Sequence, residues 1–149
     1  MIEIHHGGFP PMTGTTSPER VHRTDIQLRF ADTDALGHVN NRSFIVYAEL
    51  ARIEFMKSIE AVVLAQILAH ISADFRKQVL FGDSIVAETW VERVGNTSVT
   101  LRQAIRANGA VAVELKSVSV CFDYSAQRPQ PWPQNLRTAF ESYIPGAQP

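Results

Sequence analysis

The sequence predicts an α+β domain in which one antiparallel sheet curls around a single long helix. Three features carry that reading. A short period-2 segment precedes a helical run over Arg42–Ile59 that contains no Gly or Pro, and apolar-alternating segments separated by Gly82-Asp83, Gly95-Asn96 and Asn108-Gly109 follow it. At 149 residues the chain has the length of one ordinary domain.

Met1 to about Val21 holds Gly7-Gly8, Pro10-Pro11 and a Thr/Ser/Gly/Pro cluster with little apolar periodicity, so 1–21 reads as a flexible arm. Its His5-His6 pair is given no role. Thr24–Phe30 alternates Ile26, Leu28 and Phe30 against Asp25, Gln27 and Arg29, the pattern of a half-buried strand. In the helical run, Phe44, Tyr47, Ala48, Ala51 and Phe55 fall on one face. Ile45, Val46, Leu50, Ile53 and Met56 widen that face, so the helix is expected to be covered on several sides.

Ala61–Leu68 is almost continuously apolar and does not choose between helix and strand, but the stretch as far as Asp74 reads mostly as strand. Ser84–Val94 and Thr97–Ala107 form a hairpin. Asn108-Gly109 then marks a tight turn, because both residues tolerate positive φ. In the strand after it, Val111, Val113 and Leu115 share one parity and Val118, Val120 and Phe122 the other, so a β-bulge is expected near Lys116-Ser117. Pro129–Pro133 is expected to end the last regular element and open a polar tail. The globular part is thus 22–142, with 143–149 as the C-terminal tail.

Composition narrows the function classes. Hydrophobic residues make up 45% and charged residues 19%, enough for a packed core. Fourteen basic against fifteen acidic residues give a net charge of -1, without the basic excess of a nucleic-acid binder. The one cysteine, Cys121, rules out an intrachain disulfide and reads as a small core residue. No apolar run reaches the roughly 18 residues of a membrane span, and the expected location is cytoplasmic.

The densest polar constellation is Asp32-Thr33-Asp34-Ala35-Leu36-Gly37-His38-Val39-Asn40-Asn41, between a strand end and a helix start. The first N–H groups of a helix lack internal partners and carry partial positive charge, so an anion or developing oxyanion is favoured there. Equally, Asn and Asp lead the preferences for N-caps and turns, and both readings stay open on spacing alone. A calcium loop starting at Asp32 fails, since Leu36 and Ser43 stand where oxygen ligands are required. Asp32, Asp34 and His38 are a weak metal set, and no metal is expected.

The run Arg29–Asn41, followed by Phe44 and Tyr47-Ala48-Glu49, resembles the signature of the 4-hydroxybenzoyl-CoA thioesterase branch of the hotdog-fold acyl-CoA thioesterases. Asp74-Phe75-Arg76, Phe81-Gly82-Asp83, Val94–Ser98 and Arg128–Pro133 match later landmarks in order, so the resemblance spans about residues 24–137. It implies a hotdog fold, a long helix wrapped by an antiparallel sheet. It also implies that Asp34 is the catalytic carboxylate and that the Asn41 backbone N–H is the oxyanion donor. His38 would orient Asp34 or a water and Asn40 would hold the loop.

Thioester cleavage needs a carboxylate that attacks the carbonyl or activates water, with N–H donors stabilising the oxygen's growing charge. Phe44 and Tyr47 on the helix are expected to meet the acyl group, and Arg76, Lys77 and Arg128 the phosphates of coenzyme A. Glu49 reads as a partly buried structural acid that meets Arg52 or a residue of the loop; it is also the alternative carboxylate, because a second hotdog branch draws its acid from the central helix. The implied substrate is an acyl-CoA, with coenzyme A as part of the substrate and no separate cofactor. The alternatives are an acyl-carrier-protein thioesterase and a non-catalytic acyl-CoA-binding module. A homodimer or homotetramer is implied, with Ser84–Val94 as the candidate edge strand.

Overall fold

The computed structural model describes residues 18–61 and 65–147; most of the N-terminal arm, with His5-His6, lies outside them. The elements are β1 (His22–Ile26), α1 (Asn41–Ser58), β2 (Gln66–Phe75), β3 (Ile85–Val94), β4 (Ser98–Ala107), β5 (Ala110–Asp123), β6 (Arg128–Pro129) and α2 (Gln134–Glu141). The antiparallel sheet has the order β1-β3-β4-β5-β2, and β6 pairs with the end of β5.

The long helix starts where the Asn40 side chain accepts the Arg42 N–H at 3.0 Å. Its buried positions are those the 3.6-residue period selects, including Phe44, Tyr47, Ala48, Ala51 and Phe55. They divide the core in two. The N-terminal half packs Phe44, Tyr47, Ala48 and Ala51 on Val79, Ile85, Ile105 and Val113; the C-terminal half packs Phe55 and Met56 on Val91, Val99, Leu101 and Trp132. Cys121 is buried in the second cluster, as expected of a small core residue, and burial pushes its thiol pKa up. The Asn108-Gly109 turn has φ of 50° and 84°, the positive values the dipeptide is chosen for.

Five expectations are corrected. The first strand ends at Ile26, and Phe30 belongs to a 3₁₀ turn (Phe30–Asp32) with its side chain 77% exposed, because the alternation outlasts the ladder. The expected face change at Lys116-Ser117 is absent: Val113, Leu115, Ser117, Ser119 and Cys121 all stay inward, and β4–β5 register runs unbroken from Ser98↔Val120 to Ile105↔Val113. Val118 and Val120 occupy the outer face of a strand flanked on both sides, where apolar residues are half-covered by neighbours. The bulges lie elsewhere, between Leu68 and His70 on β2, between Val91 and Arg93 on β3, and at Ala112 on β5, opposite the Ile105–Arg106 step of β4.

In place of a polar tail, α2 packs Leu136 and Phe140 into the second cluster, and Tyr143 stands edge-on to Phe55 at 5.0 Å. Ser84–Val94 is no edge: β3 sits between β1 and β4, and the long open edge is β2. Finally, among the described residues α1 is covered on one side only, and Val46 and Leu50 are exposed.

Candidate active site

Between β1 and α1 the chain folds back on itself. The Asp34 N–H donates to the His38 carbonyl at 2.7 Å and the Gly37 N–H to the Asp34 carbonyl at 3.1 Å, with Gly37 at φ 78°. Asp34 Oδ1 accepts the N–H groups of Leu36 at 2.8 Å and His38 at 3.1 Å. The loop thereby holds one carboxylate oxygen. Among the described residues nothing is hydrogen-bonded to Oδ2, and the Asp34 side chain is exposed.

A second loop supports the first. The Val39 N–H donates to the Val79 carbonyl at 2.8 Å, and His38 bridges to Leu80. Asn40, as N-cap, uses its side chain on Arg42, and the first helical N–H, that of Asn41, is one of the groups a helix cannot satisfy internally. Asp34, His38, Asn40, Asn41, Phe44, Phe75, Arg76 and Lys77 all line one pocket of about 430 Å³. Phe44 and Phe75 form its apolar wall, with ring centroids 6.0 Å apart.

The cationic rim is unequal. Arg76 is bound to Glu114 at 2.8 Å and approaches Asp74 at 3.7 Å, whereas Lys77 makes no ion pair among the described residues. Arg76 and Lys77 are set by their N–H groups, which both donate to the Ala112 carbonyl.

Two expected site residues and the alternative carboxylate stand elsewhere. Tyr47 is 1% exposed behind the Phe44 wall, and its hydroxyl donates to Asp32 Oδ2 at 2.8 Å, so within one chain it does not line the pocket. Arg128 pairs in register with Asp123, on the order of 30 Å along β5 from Ala112, at the other end of the sheet. Glu49 is exposed on α1, outside the pocket lining. Phe75, part of the Asp74-Phe75-Arg76 landmark but given no role there, joins the wall from the end of β2.

Asp32 and Asp34 have separate environments. Asp32 is 6% exposed and takes the Arg29 N–H at 2.9 Å, the Arg29 guanidinium at 3.1 Å and the Tyr47 hydroxyl. Burial pushes its pKa up, but these donors outweigh burial and hold it below the ordinary carboxylate value. Burial and then the Asp32 carboxylate push the Tyr47 hydroxyl well above its ordinary value, so it stays a donor. The two aspartates and His38 do not converge, and no group of three His, Cys, Asp or Glu able to hold a metal forms among the described residues.

A sequence model of the thioesterase-like superfamily matches residues 28–140, three quarters of the chain and the whole site. The chain belongs to the thioesterase-like superfamily. Its reaction class is thioester hydrolysis. Among solved structures it resembles a predicted thioesterase from Bacillus stearothermophilus, at 30% identity and a TM-score of 0.78 over 87% of this chain and 99% of that one. It likewise resembles a Thermus thermophilus thioesterase solved with coenzyme A and Zn, at 31% identity and a TM-score of 0.76 over 83% and 92%. Acyl-CoA thioesterase YbgC of Haemophilus influenzae is 22% identical over 77% of this chain and 90% of that protein. The helix-on-sheet architecture of this superfamily chain is the hotdog fold shared with these thioesterase structures.

Proposed function

We propose that this chain is an acyl-CoA thioesterase in which Asp34 supplies the catalytic carboxylate and the Asn41 N–H the oxyanion donor. The observation that carries the reading is that Asp34, the first N–H-bearing residue of α1, an aromatic wall and two basic residues share one pocket. Each part has a task. Phe44 and Phe75 offer an apolar surface to the acyl group, and Lys77 and Arg76 meet the phosphates of coenzyme A.

With the thioester carbonyl near the start of α1, Asp34 Oδ2 takes a proton from a water as that water's oxygen bonds to the carbonyl carbon. The carbonyl oxygen becomes an oxyanion, which the Asn41 N–H and the positive end of the helix stabilise. The tetrahedral intermediate collapses, the C–S bond breaks, and the proton on Asp34 neutralises the departing thiolate. Direct attack by Asp34 would instead pass through a mixed anhydride that water then opens. After a single turnover in oxygen-18 water, label in the Asp34 carboxylate identifies direct attack, with water opening the anhydride at the Asp34 carbonyl and the acyl carboxylate leaving. A water activated by Asp34 places the label in the product acid alone.

The β2 edge, unpaired among the described residues, supports a homodimer built by joining two sheets. The test of the reaction is a hydrolysis screen of short, medium, long and aromatic acyl-CoAs, read as free thiol. Turnover with at least one class and loss of it in Asp34→Asn are expected. Faster cleavage of acyl-carrier-protein thioesters would reassign the substrate, and binding without turnover would reassign the chain to a non-catalytic module.

A further inference from the structure

The polar groups behind the pocket wall are more ordered than a turn requires. Asp32 accepts hydrogen bonds from five groups that reach both sides of the site. Its carbonyl takes the Asn40 N–H at 2.8 Å and the Ser43 hydroxyl at 2.9 Å. Its carboxylate takes the Arg29 N–H, the Arg29 guanidinium and the Tyr47 hydroxyl. One residue thus grips the N-cap, the first turn and the second turn of α1, while its chain neighbour but one is Asp34. Asn41 lies between the two gripped positions Asn40 and Ser43.

We propose that Asp32, pinned by the Tyr47 hydroxyl, is a positioning residue that sets the Asn41 N–H against the Asp34 carboxylate. The inference rests on the acyl-CoA hydrolase reading for its catalytic consequence, but the geometry it describes is independent of that reading. The anchoring is asymmetric. Arg29 approaches from the exposed side, whereas the Tyr47–Asp32 bond is buried and draws on a helix residue whose ring is already fixed edge-on against Phe44 at 5.9 Å. A hydroxyl that only satisfied a buried carboxylate would affect stability alone. A hydroxyl that fixes the loop against the helix start affects the transition state, because the oxyanion contact tightens only there.

The test is Tyr47→Phe, which keeps the ring and removes the donor. Steady-state kinetics with the best acyl-CoA should show kcat reduced about tenfold with KM within roughly twofold of wild type, since the coenzyme A contacts lie elsewhere. In ¹⁵N NMR of the free protein, the Asn41 amide resonance should move along with those of Leu36 and His38. Ser43→Ala, which removes one tie to the Asp32 carbonyl, should move the Asn41 amide and lower kcat in the same direction. It serves if Tyr47→Phe does not fold. A folded Tyr47→Phe or Ser43→Ala with kcat within twofold of wild type, or with an unmoved Asn41 amide, overturns the proposal. If wild type does not cleave acyl-CoA, the hydrolase reading fails, and the NMR measurement alone still decides whether Asp32 positions Asn41.

Discussion

Asp34 Oδ1 accepts the backbone N–H of His38 at 3.1 Å, so the residue expected to do the chemistry also closes its own loop. Asn at this position keeps an oxygen that can accept the same N–H and that of Leu36, while losing the charge. Asp34→Asn is therefore expected to fold with a melting temperature near wild type and to lose on the order of 100-fold in kcat. Retention of most activity in the folded variant would transfer the role, and Glu49→Gln would be the next measurement.

Lys77 and Arg76 share the pocket rim, but the Arg76 guanidinium is already bound to Glu114. Lys77→Ala should raise KM for acyl-CoA about threefold to tenfold with kcat nearly unchanged, because a remote phosphate contact is equal in ground and transition states. Arg76→Ala should have the smaller effect. Both effects should shrink in high salt. An unchanged KM in both variants would place the phosphates elsewhere.

Asp32 predicts a pH signature in stability. Its pKa is lower folded than unfolded, so its contribution is complete above the unfolded value of about 4 and is lost as the pH falls through the lower folded value. The gap in melting temperature between wild type and Asp32→Asn should thus be widest near neutral pH and narrow below about pH 4. A gap that stays constant across that range would show that charge at Asp32 does not matter to folding.

Phe140 lies in the segment where a polar tail was expected, yet it is fully buried, 5.1 Å from the Trp132 ring centroid and 6.3 Å from that of Phe55. Phe140→Ala is expected to cost about 3–5 kcal/mol in denaturant unfolding. A loss below about 1 kcal/mol would mean that α2 is a loosely held appendage.

The contrast between Phe140 and Phe44 shows what was legible. Phe44 belongs to a long periodic run, and the Asn108-Gly109 turn is dictated by two residues' own φ preferences, so helix and hairpin were readable locally. The loop holding Asp34 was readable because the resemblance carried it. Leu136 and Phe140 did offer an i, i+4 pair after Pro133, but in a short segment among prolines. The position of β3 inside the sheet, the partner of the Tyr47 hydroxyl and the distance of Arg128 from the pocket depend on strand order and on contacts between distant segments. No period in the sequence encodes those.

Strand order also points to the assembly. β2 ends the series β1-β3-β4-β5-β2 and, among the described residues, offers a ten-residue unpaired edge, with Ile67, Leu68 and Phe75 exposed along it. Long apolar edges promote association, and pairing β2 with β2 of a second copy would satisfy this one while closing the open side of the pocket near Phe75. Leu68 is 39% exposed in the single chain, so Leu68→Lys should fold but place a like charge on each side of the joined edge. Light scattering at micromolar concentration should give two or four chain masses for wild type and a shift toward one for the variant, with activity falling in parallel. A wild-type chain that is both monomeric and fully active would end the edge-pairing proposal, whereas an unchanged mass for Leu68→Lys would move the interface to the exposed Val46 and Leu50 face of α1.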